Sequence, residues 1–131
     1  MKTKLMIAGA IAAAAAMSAQ PANAYELRTT GRTLASPQLV VDTLRTVARY
    51  SKMTGGCSFL FSAHMEVMPP SYRPAGPAVG AVAARGGHYE MWTVNACAAK
   101  QRFQIAMWPS PRGGTDFAVV ALTGRMPLYV K

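Results

Sequence analysis

The chain has 131 residues, and its fourteen Lys and Arg outnumber its five Asp and Glu to give a formal net charge of +9. This length fits one small domain, and no stretch after residue 24 is long and apolar enough to span a membrane. An excess of positive charge favours anionic partners, although it also serves solubility alone.

Residues 1–24 are typical of a removable secretion signal. After a positive start, Leu5–Met17 is uncharged and apolar, and Ala22–Ala24 places small residues at alternate positions, as signal peptidase requires. A transmembrane anchor is the alternative, but it needs about 20 apolar residues. We therefore expect cleavage before Tyr25 and a single mature domain, residues 25–131, located in the periplasm or secreted.

The mature domain would contain two cysteines, Cys57 and Cys97. Outside the cytoplasm such a pair usually forms a disulfide. The closed loop would stabilise the fold by about 4 kcal/mol. A reactive thiol or a metal-binding thiolate pair is the alternative, but the sequence has no C-x-x-C and no further Cys to complete a zinc site. The sequence predicts a Cys57–Cys97 disulfide and neither a cofactor nor a bound metal.

A helix is predicted after the polar arm Tyr25–Ala35. Ser36 suits the N-cap, Pro37 suits the first helical position, and Gly55-Gly56 ends the run. Between them an apolar stripe recurs every three to four residues and predicts the buried face: Leu39, Val40, Leu44, Val47, Ala48 and Ser51.

Arg45, Arg49 and Lys52 recur at the same spacing on another face of this helix. We call these three residues the basic ridge. They are candidate binding residues for an anionic partner, and an ordinary solvated helix face is the alternative.

After Cys57 the periodicity changes to two, which predicts a half-buried strand ending before Pro69. Its apolar face would hold Phe59, Phe61, Ala63, Met65 and Val67. The Pro- and Gly-rich residues 69–87 predict a long exposed loop, with a short strand near Val79–Ala83.

Three more strands are predicted over Tyr89–Asn95, Arg102–Trp108 and Thr115–Leu122, and a short edge strand over Met126–Val130. The predicted fold class is α+β, with one N-terminal helix packed on an antiparallel β-meander of about four strands and one disulfide.

Two H-x-E pairs are the candidate catalytic residues: His64 with Glu66, and His88 with Glu90. Alternate residues of a strand share a face, so each pair lies on one side. If the strands pair in a suitable register, the four side chains would converge as an acid–base or metal-dependent hydrolase site. Polar residues on an open sheet face are the alternative. The P-C-x-x-C that accompanies H-x-E in zinc deaminases is absent.

Nucleic-acid binding is disfavoured. The positive charge fits, and Trp92, Trp108, Tyr89 and Phe103 offer faces for base stacking. However, these aromatic residues fall in strands that the core needs, and the export signal argues against a routine role with nucleic acids.

The segment Glu90–Cys97 reads E-x-W-x-V-x-x-C and follows Gly87-His88-Tyr89, and Gly113-Gly114-Thr115-Asp116-Phe117 lies further on. This order resembles small exported proteobacterial domains of uncharacterised function, over about 80 residues from the helix to Leu122. The resemblance implies an exported, disulfide-linked α+β domain and no particular reaction. Ala98 stands where those domains usually have Gly.

The physical role of this motif is structural. Glu90, Trp92 and Val94 would share one strand face, and the strand would deliver Cys97 to its partner. We also expect Glu90 to pair with Arg102 across the hairpin.

The preferred hypothesis is a non-enzymatic binding module of the cell envelope. Its partner would be an envelope protein or an anionic envelope polymer, bound through the basic ridge or the loop 69–87. A hydrolase built on the two H-x-E pairs is the second hypothesis. An inhibitor of a secreted enzyme such as lysozyme is the third, and it would need the loop 69–87 to project.

Overall fold

The computed structural model describes residues 27–55 and 57–127. Its strands and helices follow in the order β1 (Arg28–Gly31), α1 (Pro37–Gly55), β2 (Leu60–Val67), α2 (Val79–Arg85), β3 (His88–Ala96), β4 (Ala99–Pro109), β5 (Thr115–Ala121) and β6 (Met126–Pro127). The predicted secretion signal, the cleavage site at Tyr25 and residues 128–130 of the predicted edge strand lie outside the described residues.

The strands of the described part form one mixed sheet in the order β1-β2-β3-β4-β5, and β6 pairs with β4 beside residues 99–100. From β2 to β5 each strand is antiparallel to the next, whereas β1 runs parallel to β2. Adjacent parallel strands need a crossover connection, and α1 provides it.

The α+β class is therefore confirmed, and β2 to β5 form an antiparallel meander, but the sheet is larger than predicted and mixed, because β1 joins it parallel to β2 and β6 pairs with β4. The polar arm contains β1, and a second helix is present.

Helix α1 covers one face of the sheet, as its apolar stripe predicts. Leu39, Leu44 and Val47 are buried against Trp92, and the ring of Tyr50 meets the ring of Phe103 edge to face at a centroid distance of 5.8 Å. Ser36 caps the helix by accepting the Leu39 N–H at 3.2 Å. Within the described part, no helix combines the length and the apolar character that crossing a bilayer requires.

The predicted alternation of buried and exposed residues fails at the start of strand β2, where the pairing with β3 shifts register. Leu60 lies opposite Ala96 but Ser62 lies opposite Asn95, so Phe61 is an extra residue in the strand. Such a bulge shifts the alternation by one position. Leu60 is therefore buried, while Phe59 and Phe61 are exposed, and the prediction that these two phenylalanines face the core is wrong.

The second face of the sheet carries α2 where the sequence predicts a short strand near Val79–Ala83. The segment is rich in Ala, which favours a helix, and Gly86 ends the helix in the left-handed conformation with φ 75°. Val82 packs with Ala78 and Ala106 of β4, so α2 covers the part of this face near the end of β4.

Cys57 and Cys97 form the predicted disulfide, with their Cα atoms 6.3 Å apart. Cys97 lies in the two-residue turn between β3 and β4, where Ala96 pairs with Ala99. Both turn residues, Cys97 and Ala98, have positive φ values, 50° and 65°. A type I′ hairpin turn requires this conformation, which favours Gly or Asn.

Candidate functional site

The fully buried carboxylate of Glu90 is the centre of a polar network with four partners. Its Oε1 accepts the Thr33 hydroxyl at 2.7 Å and the Trp92 indole N–H at 2.8 Å. Its Oε2 accepts the Leu34 backbone N–H at 2.9 Å and lies 2.7 Å from Nε2 of His88. Glu90 therefore ties the segment between β1 and α1 to the start of β3.

Burial alone raises the pKa of a carboxyl group, and it does so for Glu90. The hydrogen bonds from Thr33, Leu34, His88 and Trp92 outweigh burial and hold the pKa of Glu90 below its ordinary value. Glu90 is therefore ionised at neutral pH. Since a carboxylate only accepts hydrogen bonds, Nε2 of His88 must carry the hydrogen.

The predicted pairing of Glu90 with Arg102 is wrong. Glu90 lies opposite Ile105 on the face covered by α1, whereas Arg102 lies opposite Thr93 on the other face. Glu90, Trp92 and Val94 do share one buried face, as the motif predicts.

The two H-x-E pairs lie on opposite faces of the sheet. His64 is opposite Thr93 and Glu66 is opposite Met91, and both of these β3 residues point away from the face that holds Glu90. His64 instead contacts Thr30, whose Oγ1 is 2.8 Å from Nδ1. Among the described residues no three His, Cys, Asp or Glu are grouped closely enough to hold a metal ion. The convergence that the hydrolase hypothesis needs is absent.

A cleft of about 410 Å³ opens beside His88, at the end of the sheet where α1 begins. Its walls come from Leu34 and Ser36 before α1, Gly86 and Gly87 after α2, and the adjoining ends of β4 and β5. His88 keeps 28% of its side chain exposed here. Nothing in the sequence pattern predicts this cleft, because its walls come from four separate segments.

Gly87 lets the turn after α2, which forms one wall of this cleft, pass close to β4. A Cβ at this position would overlap the carbonyl oxygen of Met107 in β4. Only glycine allows the turn after α2 to pass so close to β4 and place His88 beside Glu90.

The basic ridge is exposed along α1, as predicted. Arg45 lies 3.6 Å from Asp42 on the same helix, so one of the three positive charges of the basic ridge is partly balanced. No other Lys or Arg of residues 27–55 and 57–127 lies within ion-pair distance of a carboxylate.

A second basic surface, which the sequence did not reveal, lies on the face of the sheet opposite α1. Hydrogen-bonded register aligns the side chains of β1, β2, β3 and β4 in two rows. The first row is Arg28, Ser62, Asn95 and Lys100, and the second is Thr30, His64, Thr93 and Arg102. We call them the two rows. All of these residues are exposed or half-buried, and none is acidic.

The first part of the loop 69–87, which the inhibitor hypothesis needs to project, is docked on the sheet. The buried side chain of Gln104 accepts the Tyr72 hydroxyl at 2.8 Å and the Ala75 N–H at 2.9 Å, and it donates to the Ala75 carbonyl at 2.7 Å. Burial raises the pKa of Tyr72, and the neighbouring Tyr89 raises it further, so the hydroxyl remains a donor. This anchoring holds the loop against β4 beside the two rows.

Comparisons with protein family models, with curated proteins and with solved structures found no match for this chain.

Proposed function

We propose that this chain is an exported, non-enzymatic binding module of the cell envelope that holds an anionic polymer on the two rows. The observation that carries the proposal is the register that places Arg28, Lys100 and Arg102 on the face opposite α1, in two rows that contain no acid. Glu66 is the acid nearest to the rows along β2, two residues from His64 on the same face. A periplasmic or secreted location is part of the proposal, and the Cys57–Cys97 disulfide supports it.

The spacing of the two rows suits an extended chain. Adjacent strands are about 4.8 Å apart, so the row from Arg28 to Lys100 spans about 14 Å. Arg102 follows Lys100 on the same face of β4, about 7 Å further along the strand. Short polar side chains lie on the strands between the bases, Ser62 and Thr93 with a hydroxyl and Asn95 with an amide, and these groups are hydrogen-bond donors suited to anionic oxygens.

Strand pairing holds most of this face in place, and Thr30 and His64 contact each other on it. Strands β2, β3 and β4 are paired on both sides, whereas β1, which carries Arg28 and Thr30, is an edge strand. Helix α2 and the docked loop cover the region around Gln104 and Ala106. A rigid surface loses less conformational entropy when it binds than a mobile one does.

An acidic polysaccharide fits this surface better than a nucleic acid. The two rows contain no Phe, Tyr or Trp on which a base would stack, and the imidazole of His64 is their one aromatic ring. The surface offers charge and hydrogen bonds alone, which match the carboxylate, sulfate or phosphate groups of a polymer.

The experiment measures the anisotropy of fluorescent dextran sulfate titrated with the mature protein, with uncharged dextran of the same length as the control polymer. The variant R28Q/K100Q/R102Q removes the charge of the two rows. The variant R45Q/R49Q/K52Q removes the same charge from the basic ridge and is the matched control. We expect the first to weaken binding at least tenfold and the second much less.

Equal weakening in both variants would show attraction by net charge alone and would refute a defined site. A larger loss in the ridge variant would move the site to α1. Binding of the uncharged dextran with equal affinity would contradict the anionic ligand.

A further inference from the structure

We propose that the cleft beside His88 is a second binding site, specific for an uncharged saccharide ring, in which Nδ1 of His88 accepts a hydrogen bond from a sugar hydroxyl. This site is separate from the two rows, because His88 lies on the face of the sheet that α1 covers.

The orientation of His88 is the first step of the argument. The ionised Glu90 accepts the hydrogen on Nε2, so Nδ1 is the ring nitrogen left to contact a ligand. Nδ1 makes no hydrogen bond to any residue of the described part. A histidine held in this way by a buried carboxylate presents its other ring nitrogen in a fixed position.

Ser36 provides the complementary donor. Its oxygen already accepts the N–H of Leu39, so its hydroxyl hydrogen remains to be donated. The hydroxyl groups of a sugar both donate and accept, so neighbouring hydroxyls can satisfy His88 and Ser36 together. Both residues line the same cleft.

The other lining residues of the cleft indicate that the ligand is uncharged and has an apolar face. Leu34, Leu39, Met107 and Pro109 make much of the lining apolar, and Leu34 is 55% exposed. No Asp, Glu, Lys or Arg lines the cleft. The volume lies in the range of small-molecule sites, which combine apolar walls with a few fixed polar groups. An uncharged ring with an apolar face and hydroxyls at its edge, such as a pyranose, fits these walls.

The test follows the imidazole nitrogen shifts of the mature protein by NMR during titration with cellobiose and with N,N′-diacetylchitobiose. The chain has two histidines, and His64 on the opposite face is an internal control. We expect the His88 signals to move with saturation and the His64 signals to stay. Choline and gluconate, as a cationic and an anionic probe, should leave both unchanged.

The variants H88F and S36G each remove one polar partner, and H64F is the matched control. Glycine is tolerated at an N-cap with little loss of helix stability, so S36G keeps the fold. Loss of one hydrogen bond weakens binding by roughly threefold to tenfold. We expect this loss with H88F and S36G and none with H64F.

The result that overturns the proposal is a stationary His88 signal with both disaccharides, or affinity that S36G leaves unchanged. Stronger binding of choline or gluconate would overturn the uncharged class of ligand. The wild-type titration decides the matter even if H88F does not fold. R28Q/K100Q/R102Q should bind the disaccharides normally, so failure of the polymer site and failure of this site are distinguishable.

Discussion

The indole N–H of Trp92 donates to Oε1 of Glu90 at 2.8 Å, and both side chains are completely buried. The two residues are neighbours on one face of β3, so the motif E-x-W forms its own internal hydrogen bond. The same carboxylate accepts Thr33 and Leu34, and the motif thereby fixes the entry to α1.

Replacing Glu90 by Gln should destabilise the protein by about 2–4 kcal/mol. The side-chain amide would direct its N–H groups at donors such as Trp92 or Leu34 and leave them without an acceptor. The measurement is urea unfolding followed by tryptophan fluorescence. The control is E66Q on the exposed H-x-E pair, which should change the free energy of unfolding by less than about 0.5 kcal/mol. Equal effects in the two variants would contradict the role of Glu90.

Stability should fall in acid because of Glu90. Its pKa is lower in the folded chain than in the unfolded chain, so the unfolded chain binds the proton more readily. The stabilisation is fully present above the unfolded pKa, about 4.3, and is lost as the pH falls towards the folded pKa. We expect the difference in unfolding free energy between wild type and E90Q to narrow below about pH 4.3. A constant difference from neutral pH to about pH 2 would refute the linkage.

Gly87 and Gly80 provide a matched pair of substitutions. G87A places a methyl group against the carbonyl oxygen of Met107 and should destabilise the fold by about 1–3 kcal/mol. Gly80 lies in α2 with no atom near its missing Cβ, so G80A should stabilise the fold by about 0.5–1 kcal/mol. Thermal unfolding followed by circular dichroism measures both. If G87A left the free energy of unfolding unchanged, the turn after α2 would not be tightly packed against β4.

Ala98 is strained in its turn, since its φ is 65°. The left-handed conformation costs an L-residue about 1–2 kcal/mol relative to Gly. A98G should therefore raise the free energy of unfolding by about 0.5–1 kcal/mol after the greater unfolded entropy of Gly is deducted. The control is A99G, at the start of β4, which should destabilise. If A98G and A99G both lowered the free energy of unfolding, or both raised it, the left-handed conformation assigned to Ala98 would be contradicted.

The disulfide gives a prediction for both stability and processing. C57S/C97S should lose about 4 kcal/mol of stability, since the bond closes a loop of 40 residues.

Intact mass spectrometry of protein isolated from cells should show an N-terminus at Tyr25 and no alkylation of thiols before reduction. Two free thiols, or a retained residue 1, would refute export by the predicted signal.

The elements with the clearest local signals are those the sequence predicts best. Helix α1 has a cap, a Gly stop and a periodic apolar stripe, and its predicted start and end agree with the structure. Strand β2 was placed well, but the bulge at Phe61 depends on its pairing with β3, so periodicity put Phe59 and Phe61 on the wrong face. Val79–Ala83 is too short for its apolar pattern to separate a strand from a helix.

The site was less predictable than the fold. The H-x-E pattern identifies His88 and Glu90 as candidate site residues. Two partners of Glu90 are Thr33 and Leu34, which no local pattern in the sequence connects to β3. The two rows arise from the pairing of four strands, and the parallel position of β1 has no signal in a polar arm. A contact across the sheet is fixed by register, which a single sequence does not specify.

Glu90 also imposes an order on folding. Thr33 and Leu34 find their acceptor 57 and 56 residues further along the chain, and Cys57 finds its partner 40 residues further. A chain that is synthesised from its N-terminus lacks these partners until β3 has been made. Because such distant contacts form slowly, Thr33 and Leu34 are fixed in place only after most of the domain is available.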